Sequence, residues 1–366
     1  MDSKLDRRQL LKVAGAAVLG ASLGSCARAT SPSKHFAKVN VSPERVIRTT
    51  VGLRPFRRSG FRLEVERFDE TTVVHNYGHG SNGVSMSWGT AHLAMEEALK
   101  TGETRAAVIG CGAVGLATAQ LLQRHGLDVT IYAKDVPPRT TSNMSAAWFS
   151  AGIGGDADMR TPVYLAQQRR AARLAHHYFQ DLVSDHYGVR WIERYALSET
   201  LPAEPSSPDP LGDLAPENVQ LGPGEHPFPR AYARRFWTML IEPSRYLDAV
   251  LRDVLLAGGD LVVRDFDSLQ ALLALPEALI VNCTGLGSKE LFGDDELIPI
   301  KGQLTVLLPQ PEVDYLIGAS GLSMIPRQDG ILLGQTWERG ESSLEPSATE
   351  AQRVMDGLTQ FFADME

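Results

Sequence analysis

The sequence predicts an α/β fold in which a parallel-sheet domain is interleaved with a mostly antiparallel-sheet domain. Three observations predict it. An apolar run of strand length, a glycine turn, a helical pattern and a second apolar run follow one another over residues 105–135. Glycine-rich turns recur far from that unit, at 73–91 and 278–288, so elements of one domain are scattered along the chain. In "RRFWTMLI", Phe236, Thr238 and Leu240 alternate against Trp237, Met239 and Ile241, which is the period of a strand.

Size and composition bound the function. The 366 residues suffice for two domains or one large one. A hydrophobic fraction of 43% and a charged fraction of 22% describe an ordinary globular chain. The net charge of -8 and the lack of any Lys or Arg run give no case for a nucleic-acid partner. Cys26, Cys111 and Cys283 stand far apart, with no CxxC pair and no zinc spacing, so neither a disulfide framework nor a metal site is expected.

The first 30 residues stand outside the fold. Arg7 and Arg8 directly precede "VAGAAVLGASLG", a run too short and too rich in Ala and Gly to span a bilayer stably. It reads as an export signal of the twin-arginine type. In "LGSC", Cys26 stands where bacterial lipoproteins carry their lipid; an ordinary cleavage site near "ARA" is the other reading. The expected location is the bacterial cell envelope, as a periplasmic protein or as one anchored through Cys26. Residues 31–45 are a polar linker.

The strand–helix–strand unit comes next in the argument. "RAAVIG" is the strand, and Val114, Ala117, Leu121 and Leu122 share one helical face before Gly126 stops the helix. "LDVTIYAKD" is the second strand. Gly110, Gly112 and Gly115 have GxGxxG spacing, with Ala113 and Val114 inside it. The first glycine makes the turn, the second admits a pyrophosphate to the backbone, and the third lets helix and strand pack closely. This is a Rossmann-like dinucleotide site. The acid that normally holds the ribose ends the second strand. Here Lys134 stands at that place and Asp135 follows it, so Asp135 acts from a shifted position or the ribose is held otherwise. The fingerprint alone does not separate NAD from FAD.

Five further stretches resemble the FAD-dependent D-amino-acid oxidase family, and together they cover nearly all of residues 46–340. "PPRTTSNMSAAWFSAG" resembles the family's Thr-rich loop, with Thr140, Thr141, Ser142, Ala146 and Ala147 matching positions close to the flavin. "ALIVNCTGLGS" resembles its Asn-Cys-Thr-Gly strand end, with Thr284 and Gly285 at the turn. "IKGQL" resembles its Arg-Gly-Gln segment, with Lys301 in place of Arg. "VGLRPFRRSG" resembles the segment whose arginine, here Arg54, binds the substrate carboxylate. "VVHNYGHGSNGVSMSWG" resembles the glycine loop over the isoalloxazine ring, with Gly80, Ser81, Asn82, Gly83, Val84 and Ser85 at the cofactor. Phe266 joins the cofactor positions that the resemblance implies.

The resemblance implies FAD as cofactor and a Rossmann-like FAD-binding domain interleaved with a mostly antiparallel-sheet substrate domain. The substrate domain would take residues 46–70, 186–250 and 300–366, the last ending in a helix. The FAD-binding domain would take 71–185 and 251–299. The order departs from the family, whose Arg-Pro segment and glycine loop come last; here they come first. The chain therefore reads as a circular permutation, joined through "LKTGETR", with new ends near Val41 and Glu366.

Arg54 suits a carboxylate because a guanidinium grips both oxygens and so fixes the Cα–H bond. From residue chemistry alone it would be an exposed strand-end arginine. Arg57, Arg58 and Arg62 are expected to be surface charges. His75 and His79 have no carboxylate near them in sequence and are expected to be structural hydrogen-bonders, not metal ligands. Trp88 is expected in the core and Trp237 at the pocket rim or core. Ser81 is expected to offer its carbonyl to the substrate amine. Ser323 stands where the family has a tyrosine that helps bind the carboxylate, so the second clamp is missing or replaced.

The implied reaction is oxidative deamination of a D-amino acid, with oxygen as co-substrate, to a 2-oxo acid, ammonia and hydrogen peroxide. The α-hydride passes to the flavin, no side-chain base is required, and position and desolvation carry the step. Two alternatives stay open within the flavin class: oxidation of D-aspartate, glycine or another small amine, and a non-catalytic flavin-binding envelope protein. A NAD-dependent dehydrogenase is disfavoured by the Thr-rich and glycine-loop matches.

Overall fold

The computed structural model describes residues 36–202, 211, 214 and 217–366. The twin-arginine segment 1–30 with Cys26, and residues 31–35 of the linker, lie outside the described residues. β1 (Val46–Arg57) leads into a hairpin of β2 (Arg62–Phe68) and β3 (Thr71–Tyr77), then α1 (Ser87–Leu99). β4 (Arg105–Ile109), α2 (Ala113–Arg124) and β5 (Asp128–Ala133) form the expected strand–helix–strand unit. After α3 (Pro162–Asp181) come β6 (Val189–Ser198), β7 (Asn218–Leu221), β8 (Tyr232–Ile241), α4 (Pro243–Leu256) and β9 (Asp260–Val263). α5 (Leu269–Leu273), β10 (Leu279–Asn282) and α6 (Ser288–Phe292) precede the last strands, β11 (Leu297–Leu307), β12 (Tyr315–Ala319), β13 (Leu322–Arg327), β14 (Gly330–Gly334) and β15 (Glu338–Arg339). α7 (Ala348–Ala363) closes the chain.

Two sheets result. The first has the order β2-β3-β10-β4-β5-β9 and is parallel except at its β2 edge. Its central strands β4 and β10 read as near-continuous apolar runs because helices cover the sheet, while β3 is buried although it carries Thr72, His75 and Asn76. The second has the order β1-β11-β14-β13-β12-β6-β8-β7, with β15 also on β11, and is antiparallel except where β12 meets β6. The fold class is the predicted one. The chain crosses between the sheets after β1, after β5, after β8 and after β10.

The largest core packs α1, α2, α3 and α4 against the first sheet through Trp88, Leu116, Phe179, Tyr246 and their neighbours. Trp88 lies in that core as expected, its Nε1 donating to Tyr246 Oη at 2.7 Å. α3 starts where Thr161 Oγ1 accepts from Tyr164 N at 3.1 Å, with Pro162 at the first helical position. A smaller cluster lies on one face of the second sheet. It comprises Ile192, Leu240, Leu304, Val306, Leu316, Ile325 and Leu332, with Ala146 and Trp148 packed on it.

Residues 37 and 38 meet residue 365. Lys38 Nζ donates to the Met365 carbonyl, and Tyr315 Oη donates to Ala37 O at 2.7 Å while lying 3.9 Å from Met365 Sδ.

Candidate active site and cofactor cradle

The turn between β4 and α2 is built for close approach. Gly110 has φ +114°, and a Cβ there would stand 2.6 Å from Cys283 O at the end of β10. A Cβ on Gly115 would lie 1.9 Å from Gly110 O, so any side chain would force the helix off the strand. Gly112 caps α2, and the Ala113 N–H donates to Ser142 Oγ at 3.0 Å. The loop carrying Thr140, Thr141 and Ser142 thus closes over the start of α2. First-turn N–H groups there, including those of Val114 and Gly115, have no intrahelical acceptor and sit at the positive end of the helix dipole. A side-chain-free cradle lined by such donors fits the diphosphate of FAD.

The other expected cofactor positions each have their own contacts. Thr284 donates through its N–H (3.1 Å) and its hydroxyl (2.8 Å) to Asn282 Oδ1. Gly285, at φ +60°, abuts the Pro55 ring of β1. Ala147, at φ 42°, accepts from Ile241 N at 3.0 Å, which holds the strand-linking segment after Ala146 against β8. Phe266 packs edge-on against Tyr132 of β5, with Arg264 over its ring at 4.6 Å. Asp135 is half exposed, its carboxylate 4.0 Å from Arg139 Nε.

The glycine loop over residues 78–85 is tied down by side chains. Asn82 Nδ2 donates to Gly152 O at 2.8 Å and Ser85 Oγ donates to Ser150 O at 2.7 Å. Gly83 and the buried Val84 carry the chain into α1. Gly80, Ser81 and Asn82 line a cleft together with Gly154 and Trp337. His79 Nε2 pairs with Thr90 Oγ1 at 2.9 Å, and burial pushes its imidazole down to about 3. His75 is structural too, but it has the carboxylate partner that its sequence neighbours lack. Glu66, across the β2–β3 pair, lies 3.0 Å from Nε2, and Asn282 Nδ2 lies 3.1 Å from Nδ1. Burial is the main reason that its imidazole is pushed down to about 4, with the Arg62 charge adding to it.

On the second sheet, Arg54 extends from β1 over β11. Its Nη1 donates to Lys301 O at 3.3 Å and to Thr336 O at 3.2 Å, and its guanidinium lies 5.1 Å from the Trp337 ring centre. A Cβ on Gly302 would sit 2.3 Å from Arg54 Nη2, which explains the glycine in "IKGQL". Arg54 is half-buried, and burial pulls its proton affinity down. Among the described residues no carboxylate pairs with it. Ser323 is 4% exposed and pairs with Gly318 on one side and Gly334 on the other. Its Oγ has no hydrogen-bond partner among the described residues.

Three expectations change. Arg57 is not a surface charge: its side chain is largely buried, with ion pairs to Asp294 at 2.8 Å and Glu296 at 3.1 Å. Arg62 is likewise enclosed, bonded to Glu64 and Glu66. Only Arg58 is exposed. Trp237 lies at neither rim nor core; it is 41% exposed on the outer face of β8, because its register opposite Glu193 turns it away from Trp148. Trp337, which stacks on Arg54, was not singled out in the sequence, where "GQTWERG" has no strand or helix period to mark it.

The FAD dependent oxidoreductase family (DAO) matches residues 105–366 of the chain. The chain is 29% identical over 260 residues to a D-amino-acid oxidase of Rubrobacter xylanophilus, covering 69% of this chain and 75% of that one. It is 28% identical over 261 residues to a D-aspartate oxidase of Homo sapiens, covering 69% and 74%. The solved glycine oxidase of Geobacillus kaustophilus shares the fold at a TM-score of 0.54 and 16% identity, over 72% of this chain and 80% of that chain.

Proposed function

Since this chain belongs to the FAD dependent oxidoreductase family, and is an FAD enzyme of the amino-acid oxidase type, we propose that it deaminates a D-amino acid oxidatively. The products are the 2-oxo acid, ammonia and hydrogen peroxide. The observation that carries this reading is Arg54: a half-buried guanidinium laid across Gly302, bonded to two carbonyls and, among the described residues, to no carboxylate. A half-buried cation with no anion beside it is costly, and the α-carboxylate of an amino acid answers it with two hydrogen bonds.

FAD, when bound, supplies the two-electron acceptor and hands the pair to oxygen. The protein's part is placement. Arg54 fixes the carboxylate and Trp337 backs the guanidinium. The Ser81 carbonyl receives a hydrogen bond from the amine. Ser323 offers a hydroxyl where a larger clamp would stand. The substrate loses its α-hydride and an amine proton; water then hydrolyses the imino acid to 2-oxo acid and ammonia.

The order of the segments is read as a circular permutation. Residues 46–98 precede the stretch that matches the family, yet β1 pairs with β11 and β3 sits inside the parallel sheet beside β10. The contact of residues 37 and 38 with residue 365 is what a chain closed there and opened elsewhere requires. Export through the twin-arginine route to the cell envelope, with or without a lipid on Cys26, belongs to the same proposal and rests on Arg7, Arg8 and "LGSC".

Anaerobic mixing of the yellow holoenzyme with a panel of D- and L-amino acids, glycine and simple amines tests the reading. Bleaching by D-amino acids, with peroxide formed once air is admitted, supports it. Bleaching by glycine or amines alone moves the substrate to that class. No bleaching by any of them makes the protein a flavin binder.

A further inference from the structure

The face of the second sheet that holds Arg54 carries another arginine. Arg194 lies on β6, opposite Leu316 of β12 and Phe236 of β8. Two residues from Ile192, it shares the face on which Ala146 and Trp148 rest. Its guanidinium lies 5.0 Å from the Trp148 ring and 5.4 Å from the Phe236 ring. Its Nη2 reaches to 3.6 Å from where a Cβ on Gly318 would stand. Gly318 is the β-sheet neighbour of Ser323. The small residues at 318 and 323 thus open the space into which Arg194 extends.

Arg54, Ser323 and Arg194 form a row across the sheet. Arg54 lies over Gly302 on β11, Ser323 is on β13 and Arg194 reaches β12. Three strand spacings separate β11 from β12, about 14 Å. Two long side chains leaning inward, each making a charge-assisted bond of about 2.8 Å, leave room for a short dicarboxylate between them.

Beyond Arg54, whose Nη1 already donates to two carbonyls, the row holds donors in want of an acceptor. Among the described residues, Arg194 Nε, Trp148 Nε1 and Ser323 Oγ are buried atoms without hydrogen-bond partners. No carboxylate pairs with Arg194 among the described residues, and Glu193 beside it points to the other face, where it bonds Tyr195. Burial above all, with the Arg234 charge second, pulls the Arg194 guanidinium down to about 10. Two half-buried cations and two orphan donors on one face are unfavourable when empty, and a single charge would answer only half of them.

We propose that Arg194 binds the side-chain carboxylate of an acidic D-amino acid whose α-carboxylate is held by Arg54, so that the substrate class is D-aspartate and D-glutamate. This rests on the amino-acid oxidase reading above. A purely structural arginine, stacked between Trp148 and Phe236, would give no preference between an acid and its amide.

The isosteric pairs D-aspartate/D-asparagine and D-glutamate/D-glutamine separate the two. With wild-type holoenzyme, flavin reduction should favour an acid over its amide by about a hundredfold or more in kcat/KM. R194L should collapse that ratio to below about tenfold, and R194K should recover part of it. Calorimetry on wild-type holoenzyme gives a readout independent of turnover and of how the variants fold: succinate should bind at least about tenfold more tightly than its monoamide. Equal rates for acid and amide in the wild type, equal binding of succinate and its monoamide, or an unchanged ratio in R194L would overturn the role of Arg194 while leaving the oxidase reading in place. Failure of every D-amino acid to reduce the flavin would overturn that reading, and the inference with it.

Discussion

Arg54 lies so close over Gly302 that a Cβ at that glycine would stand 2.3 Å from Nη2. The two residues sit on neighbouring strands, Gly302 pairing with Gly52 and Arg54 with Ile300. The guanidinium is held there by the carbonyls of Lys301 and Thr336 and by the Trp337 ring.

Gly302→Ala therefore displaces the guanidinium without touching its charge. KM for the best D-amino acid should rise by about tenfold or more, since misplacing a positioned group by an ångström is costly. Flavin content should stay at the wild-type level. Steady-state kinetics beside the absorbance ratio of flavin to protein checks both halves.

Gly112→Asp puts a carboxylate at the N-cap of α2, where Ser142 Oγ already stands 3.0 Å from any Cβ. The added charge and bulk would face the FAD diphosphate in the proposed cradle. The purified variant should be colourless, and added FAD should bind at least about a hundredfold more weakly. Fluorescence titration of the apoprotein measures it.

His79 makes stability depend on pH. Burial holds it neutral in the folded protein, with its pKa down at about 3, against roughly 6.5 when unfolded. The unfolded chain thus takes up the proton first as pH falls. The stabilisation is full above about 6.5 and is lost between there and about 3, with a slope of up to about 1.4 kcal/mol per pH unit. Tm should fall as pH is lowered from 7 to 4.5, and His79→Gln, which keeps a partner for Thr90, should flatten that fall. His75, held down by burial in the same way, adds to the wild-type slope.

The proposal that the segment order is a circular permutation is tested by reversing the cut. A chain running from Thr104 to Glu366, joined by a short linker to Ala37 and ending at Lys100, reverses the cut. It should fold, bind FAD and melt close to the wild type, because residues 38 and 365 already touch. Loss of folding in this chain would count against the reading.

What was legible in the sequence was local. The three glycines of 110–115 fix a turn whose sterics involve only near neighbours, and Gly126 ends α2 through its own φ of +87°. The glycine loop and the Asn-Cys-Thr-Gly turn are legible only by resemblance, since the first is tied to Gly152, 70 positions away, and the second meets His75, 207 positions away. What stayed hidden depends on long-range register. Arg57 meets Asp294 only because β1 runs beside the segment before β11. His75 finds Glu66 only through the β2–β3 register. Arg194 shares a face with Arg54 because the β6–β12 register sets it opposite Leu316, a pairing that no short pattern announces.

Arg54 carries the central claim, and stopped-flow reduction of the flavin tests it most directly. Breaking a half-buried ion pair on one side costs about 3–5 kcal/mol, on the order of a thousandfold in rate at low substrate. Arg54→Leu should lose that much with its best D-amino acid while keeping its FAD, and Arg54→Lys should recover only part, lacking the two-pronged grip. Equal reduction of wild type and Arg54→Leu at subsaturating substrate would contradict the account, because another residue would then be holding the carboxylate.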